Sequence, residues 1–172
     1  MLTFKLILNM KDNNCYSTLQ ITTLVILRLL IGWHLLFEGI SKLVNPDWSS
    51  FAFLNESKWI LSGFANWIIA HQGVLNAVDF LNTWGLIVLG VALLLGIFSR
   101  YAAVIGAFLL LLYFLNNPPL IGLEYSMPSE GSNLIVNKTL IEAIALFLLA
   151  IFRAHEAFGL ESLFATIKSK KK

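Results

Sequence analysis

A single cysteine, Cys15, is all the thiol this sequence has. An internal disulfide, a CxxC redox pair and a thiolate metal cluster are therefore excluded by arithmetic, and any redox chemistry must use a bound or neighbouring carrier. Charge is equally scarce. Only 13% of the 172 side chains are Asp, Glu, Lys or Arg, against roughly a quarter in a soluble domain. There is no HExxH, Walker or GxGxxG pattern to announce a metalloprotease, a nucleotide or a dinucleotide. No second histidine stands where it would pair with the first across a haem, and a formal net charge of +2 gives no reason to expect a nucleic-acid partner.

What fills the space left by charge is hydrocarbon: 58% of the residues are hydrophobic and the mean hydropathy is +0.77. The chain is expected to be an all-α integral membrane protein, a single membrane domain over residues 1–172. Stretches able to cross a core of about 30 Å, at roughly 20 residues each, fall at 19–41, 83–98, 101–117 and 134–152. These predict a four-transmembrane-helix bundle in the lipid bilayer. Ser17 and Thr18 offer caps for the first span, and Asn45-Pro46 ends it. The turn GIFSRY joins spans 2 and 3 as antiparallel neighbours, with Gly85, Gly90, Gly96, Ala102, Ala103, Gly106 and Ala107 allowing close approach.

Between spans 1 and 2, residues 46–81 are rich in aromatics but interrupted by Asn55, Glu56, Ser57 and Lys58, then by Asn66, His71, Gln72, Asn76 and Asp79. That mixture predicts an interfacial segment of two short helices, at 48–56 and 58–80. Lys5 and Lys11 precede span 1, Arg100 sits in the hairpin turn, and Arg153 and the basic tail 164–172 follow span 4. The 118–132 loop carries glutamates and no lysine or arginine. Both termini are thus expected on the cytoplasmic side of a bacterial inner membrane, with Lys58 as the dissenting charge. The opening MLTFKLILNMKDNNC has a lysine in its apolar part and no small-residue cleavage pattern, so it is not expected to be a cleaved signal.

The chemistry concentrates in RLLIGWHLLFEGISK, residues 28–42. At 100° per residue, with Arg28 as zero, Lys42 falls near −40°, Glu38 near −80° and His34 near −120°. The four share one side of span 1 and climb it, Glu38 standing about 15 Å of rise above Arg28. Glu142 on span 4 belongs with the Glu38 end, beside Asn137 and Lys138, and is poorly placed to meet Arg28. An intramembrane charge costs on the order of 3 kcal/mol at the bilayer centre, so a functional site is the default reading. Glu38 and Glu142 are the candidate catalytic proton carriers. Arg28, His34 and Lys42 are candidate substrate-binding groups, with Trp33 and Phe37 as a stacking slot for a flat ligand. The plainer readings stand beside these: Lys42, Lys138 and Arg28 snorkelling to headgroups, His34 satisfied in the core, the glutamates hydrogen-bonded between helices, and the aromatics packing helix on helix.

Those residues carry a resemblance. LRLLIGWHLLFEGISKLVNP is similar to the first span of the DoxX/DoxD family, through Arg28, Gly32, Phe37, Gly39, Lys42 and Leu43. GLIVLGVALLLGIFSRYAAVIGAFLLLLYFL resembles that family's second and third spans, and NKTLIEAIALFLLAIFRAHEAFGLESLF its last, with Glu142 and a closing Gly-Leu-Glu. The long aromatic insertion looks like the DoxD branch, and the likeness covers about residues 20–163. It implies a small four-helix membrane subunit of a quinone-linked oxidoreductase. Thiosulfate or another sulfur compound, or redox homeostasis, is then the setting. No covalently bound cofactor is expected. A quinone is the candidate carrier, and the partner is a second membrane or soluble subunit or another copy of the chain. A non-catalytic anchor or assembly partner is the alternative, and a small-solute or proton transporter a third.

Overall fold

A computed structural model describes residues 17–120, 122–123, 125 and 135–152. Every regular element among them is a helix: α1 Thr18–Val44, α2 Phe51–Asn55, α3 Ser62–Ala70, α4 Gln72–Leu95, α5 Ser99–Asn116 and α6 Lys138–Ile151. Arg153, the basic tail, Lys5, Lys11 and Cys15 lie outside the described residues, as does most of the 118–132 loop, so the charge pattern behind the expected orientation lies largely outside them too.

The element ends follow from local chemistry. Ser17 caps α1 in a capping box: its hydroxyl accepts from the Gln20 N–H at 3.3 Å and the Gln20 side-chain oxygen accepts from the Ser17 N–H at 2.8 Å, which satisfies two otherwise orphaned donors. The Asn137 carboxamide oxygen accepts from the Leu140 N–H at 2.9 Å and so starts α6, which makes this residue a cap instead of a member of the polar cluster. Gly96 closes α4 in the left-handed region (φ 66°), and the Ala92 carbonyl accepts from the N–H groups of both Gly96 and Ile97. Phe98, also left-handed at φ 48°, turns the chain directly into α5.

Among the described residues, three helices are long and apolar enough to cross a membrane: Leu19–Val44, Gln72–Leu95 and Ser99–Asn116. The expected fourth span is represented by α6, whose 14 residues rise about 21 Å and fall short of the hydrocarbon thickness of about 30 Å. The second span needs a larger correction. It begins at Gln72, eleven residues before the expected 83, so the interfacial segment contains only α2 and α3. His71 is the actual break, with extended backbone at φ −119° and ψ 93°. Gln72, Asn76 and Asp79, read from sequence as interruptions, fit inside α4 together with Asn82 because each has a partner. Gln72 donates to Asn76 at 2.9 Å, and the other two reach back to the 42–50 stretch.

In space α1 packs along α4 and α5 along α6, and contacts of α4 with α5 and α1 with α6 close the bundle. The core is a column of Leu35, Leu86, Leu89, Leu93, Leu110 and Leu146 interleaved with Ala102, Ala103, Ala107 and Ala143. Outward-facing side chains such as Leu30, Val88, Ile105, Phe108, Ile141 and Phe147 are apolar and exposed, the arrangement a protein takes when its solvent is hydrocarbon.

The α1–α4 contact is backbone against backbone. A Cβ on Gly90 would stand 2.5 Å from the Leu36 nitrogen and 2.8 Å from the Gly32 oxygen, and one on Gly39 would meet the Ile87 nitrogen at 2.9 Å. Gly85 faces open space. Gly90→Leu is therefore expected to force the two helices apart at a cost of about 1–3 kcal/mol, while Gly85→Ala leaves stability unchanged. Thermal unfolding of the two variants in the same lipid nanodiscs checks this.

Candidate functional site

Residues three and four apart on α1 divide its surface into three strips. Arg28, Ile31, Gly32, Leu35 and Gly39 are buried, His34, Glu38 and Lys42 are half-buried along one border, and Trp33 and Phe37 face outward at 62% and 60% exposure. The border strip meets α5 and α6 around a pocket of about 190 Å³ lined by His34, Leu35, Glu38, Lys42, Leu86, Leu110, Tyr113, Lys138, Thr139 and Glu142. His34 Nε2 stands 3.6 Å from Glu142 Oε2. Glu38 lies within electrostatic reach of Lys42, Tyr113 and Glu142.

Four of the seven residues singled out in the sequence thus come together: Glu38, Glu142, His34 and Lys42. Three do not. Arg28 is buried at 3% exposure, about 9 Å of rise from His34, and lines a different level of the bundle. Trp33 and Phe37 do not line the pocket, so they form no slot beside it. Each is next in sequence to a member of the polar strip, but neighbours in sequence stand 100° apart around a helix, and both rings turn outward. Lys138, in the first turn of α6, completes the polar wall, while Lys58 lies over the Tyr125 ring at 5.5 Å, away from the pocket.

Lys42 is held from several sides. Its ammonium donates to the Asn82 oxygen at 2.8 Å and stands 5.0 Å from the Trp48 ring centre and 5.5 Å from that of Tyr113. Cation–π contacts of this kind strengthen when water is excluded. A second cavity of about 270 Å³ lies on the other side of Lys42, bounded by Glu38, Trp48, Ser49, Ser50, Phe53, Asn82 and Tyr113. Lys42 therefore lines two adjoining chambers.

Sequence reasoning passed over Tyr113 and Asn82. Tyr113 lies on the face of α5 that carries Gly106 and Leu110, at spacings of four and three. Asn82 heads the buried stripe Leu86, Leu89, Leu93 of α4. Those spacings were the available signals. Behind Asn82, Asp79 fixes the connector: the Ser49 hydroxyl and the Ser50 N–H each donate to its carboxylate at 2.8 Å, and the Ser50 hydroxyl donates to the same carboxylate. Asn116, buried at the end of α5, donates to the Phe53 carbonyl at 3.0 Å. Together they seat α2 above the chambers.

The family model described as DoxX matches residues 23–115, more than half of the chain. No curated protein and no solved structure matches. The matched stretch runs from the first turns of α1 through nearly all of α5, so it includes every pocket residue named above except those from α6.

Asp79→Ala leaves three donors without their acceptor. It is expected to cost about 1–3 kcal/mol and to speed amide hydrogen exchange across residues 50–55, leaving exchange in α5 and α6 unchanged.

Proposed function

Because the chain belongs to the DoxX family, we propose that it is the membrane subunit of a quinone-linked oxidoreductase and that the pocket between α1, α5 and α6 receives the quinone head. The observation that carries this reading is the convergence of N–H donors and carboxyl groups on one small chamber. Lys42, Lys138 and His34 present N–H groups, and Glu38 and Glu142 present carboxyls. A quinone needs a donor at each carbonyl and one proton for each electron it accepts.

The residues divide the work by position. Lys42, already held by Asn82, supplies a fixed positive charge where negative charge grows on a reduced ring. The His34–Glu142 pair holds a proton between an imidazole and a carboxyl and delivers it at the α6 wall. Glu38, between that pair and Lys42, serves the second proton. Electrons arrive from a partner subunit that oxidises a sulfur compound. If thiosulfate is the donor, two anions joined by one new sulfur–sulfur bond release two electrons, and the quinone takes these with two protons to become a quinol.

The finer features belong to the same proposal. α6 is the fourth span, both termini face the cytoplasm of a bacterial inner membrane, and the α2–α3 connector aligns the chain with the DoxD branch. Wild-type protein in nanodiscs is expected to bind a short-chain quinone measurably by calorimetry. Glu142→Gln should weaken that binding only slightly while lowering quinone reduction by the intact complex by about 10²-fold or more. Wild-type protein that binds no quinone sinks the proposal. A Glu142→Gln variant that loses its partner on co-purification, with quinone binding unchanged, favours the anchor reading.

A further inference from the structure

A third cavity adjoins the two chambers. It holds about 390 Å³, lies under the roof made by α2 and α3, and is walled by Phe53, Leu61, Ala65, Ile68 and Leu109, with Tyr113 at one end. Its volume is within the usual range of ligand pockets, about 300–1,000 Å³, and its lining is almost wholly hydrocarbon. It shares Ser50, Phe53, Asn82 and Tyr113 with the middle chamber, and the middle chamber shares Glu38, Lys42 and Tyr113 with the polar pocket. The three therefore run in series from apolar through mixed to charged.

Tyr113 is the one side chain common to all three. Its ring packs edge-on against Phe53 at 5.7 Å. Its hydroxyl is buried, adjoins the Asn82 carboxamide without hydrogen-bond geometry, and has no partner among the described residues. A buried hydroxyl left unpaired costs about 1–3 kcal/mol, so its place at the junction calls for a polar atom supplied from outside the chain.

We propose that the cavity under α2 and α3 holds the hydrocarbon tail of an amphiphile whose head occupies the polar chambers, with the Tyr113 hydroxyl as the hydrogen-bonding group where head and tail meet. The gradient fits a ligand that is apolar at one end and polar at the other, and neither a free anion nor a bare hydrocarbon would use all three spaces. Under the functional reading above, on which only the identity of the head rests, the tail is the prenyl chain of a quinone. The roof then determines that long-tailed quinones are preferred over bare rings.

The test uses the full chain in nanodiscs and two photoreactive probes, a decyl-tailed benzoquinone with a diazirine at the tail end and the matching tailed alcohol without the ring. Both are expected to label Ala65 and Ile68, which are 1% and 4% exposed and so closed to bulk lipid. Ile68→Trp, which fills the cavity, should cut labelling at Ala65 at least about tenfold, the loss expected when several methylenes are denied a buried site. Labelling of lipid-facing Val88 and Phe108 should not change, which also reports that the variant is folded. Ala65→Val, a smaller intrusion, acts in the same direction. Labelling confined to lipid-facing residues overturns the tail site. Labelling of Ala65 and Ile68 by the alcohol alone, with no competition by quinone, upholds the tail site and removes the quinone reading.

Discussion

The close approach of α1 and α4 through Gly32, Gly39 and Gly90 sets the geometry on which the rest of the bundle depends. With backbones in contact, the register of the two helices is fixed, and Lys42 arrives at Asn82 as a consequence. That same register carries Asp79, a turn away from Asn82 on α4, to the serines that follow α1. Van der Waals contact between small residues can fix helices in lipid, where no hydrophobic force drives them together. Polar residues on α1 and α4 then become tolerable, because Lys42 and Asn82, and Asp79 and the serines after α1, meet at matching depth.

α5 and α6 supply the other half of the enclosure by a similar device. Gly106 and its alanine neighbours let Leu146 and Leu35 come in close, which closes the lower bundle with hydrocarbon. Above that plug, side chains lengthen to Leu110 and Tyr113, and the helices no longer fill the space between them. The polar pocket begins where the small-residue packing stops. Its depth is thus decided by the point on α5 at which alanine and glycine give way to larger residues.

Much of this was legible in the sequence. The ends of α1 could be read from Ser17 and Asn45-Pro46, and the angular argument placed His34, Glu38 and Lys42 on one face. The rise along the helices likewise put Glu142 nearer Glu38 than Arg28. The start of α4 was not legible, because hydropathy charges each of Asn76, Asp79 and Asn82 its full cost in isolation. Their relief comes from partners, for Asp79 and Asn82 some 30 or 40 positions away, that no local window contains. Trp33 and Phe37 stand next to His34 and Glu38 in the chain, but neighbours in sequence are 100° apart around a helix, and both rings face outward. Tyr113 was hidden by its surroundings: in an apolar run an aromatic reads as lipid-facing, and its hydroxyl becomes informative only when Phe53 and Asn82 are seen beside it.

The polar pocket sets two carboxyl groups, Glu38 and Glu142, against two ammonium groups, Lys42 and Lys138, with one imidazole between. With the imidazole neutral, its formal charge sums to zero. His34, Glu38, Lys42 and Glu142 are each partly buried there, so a net charge costs more than it would in open water. Electroneutrality then acts as a bias on exchange: an added negative charge is cheaper to hold when a proton comes with it. A negative charge that arrives at this end of the bundle therefore tends to draw a proton with it, by electrostatic balance alone.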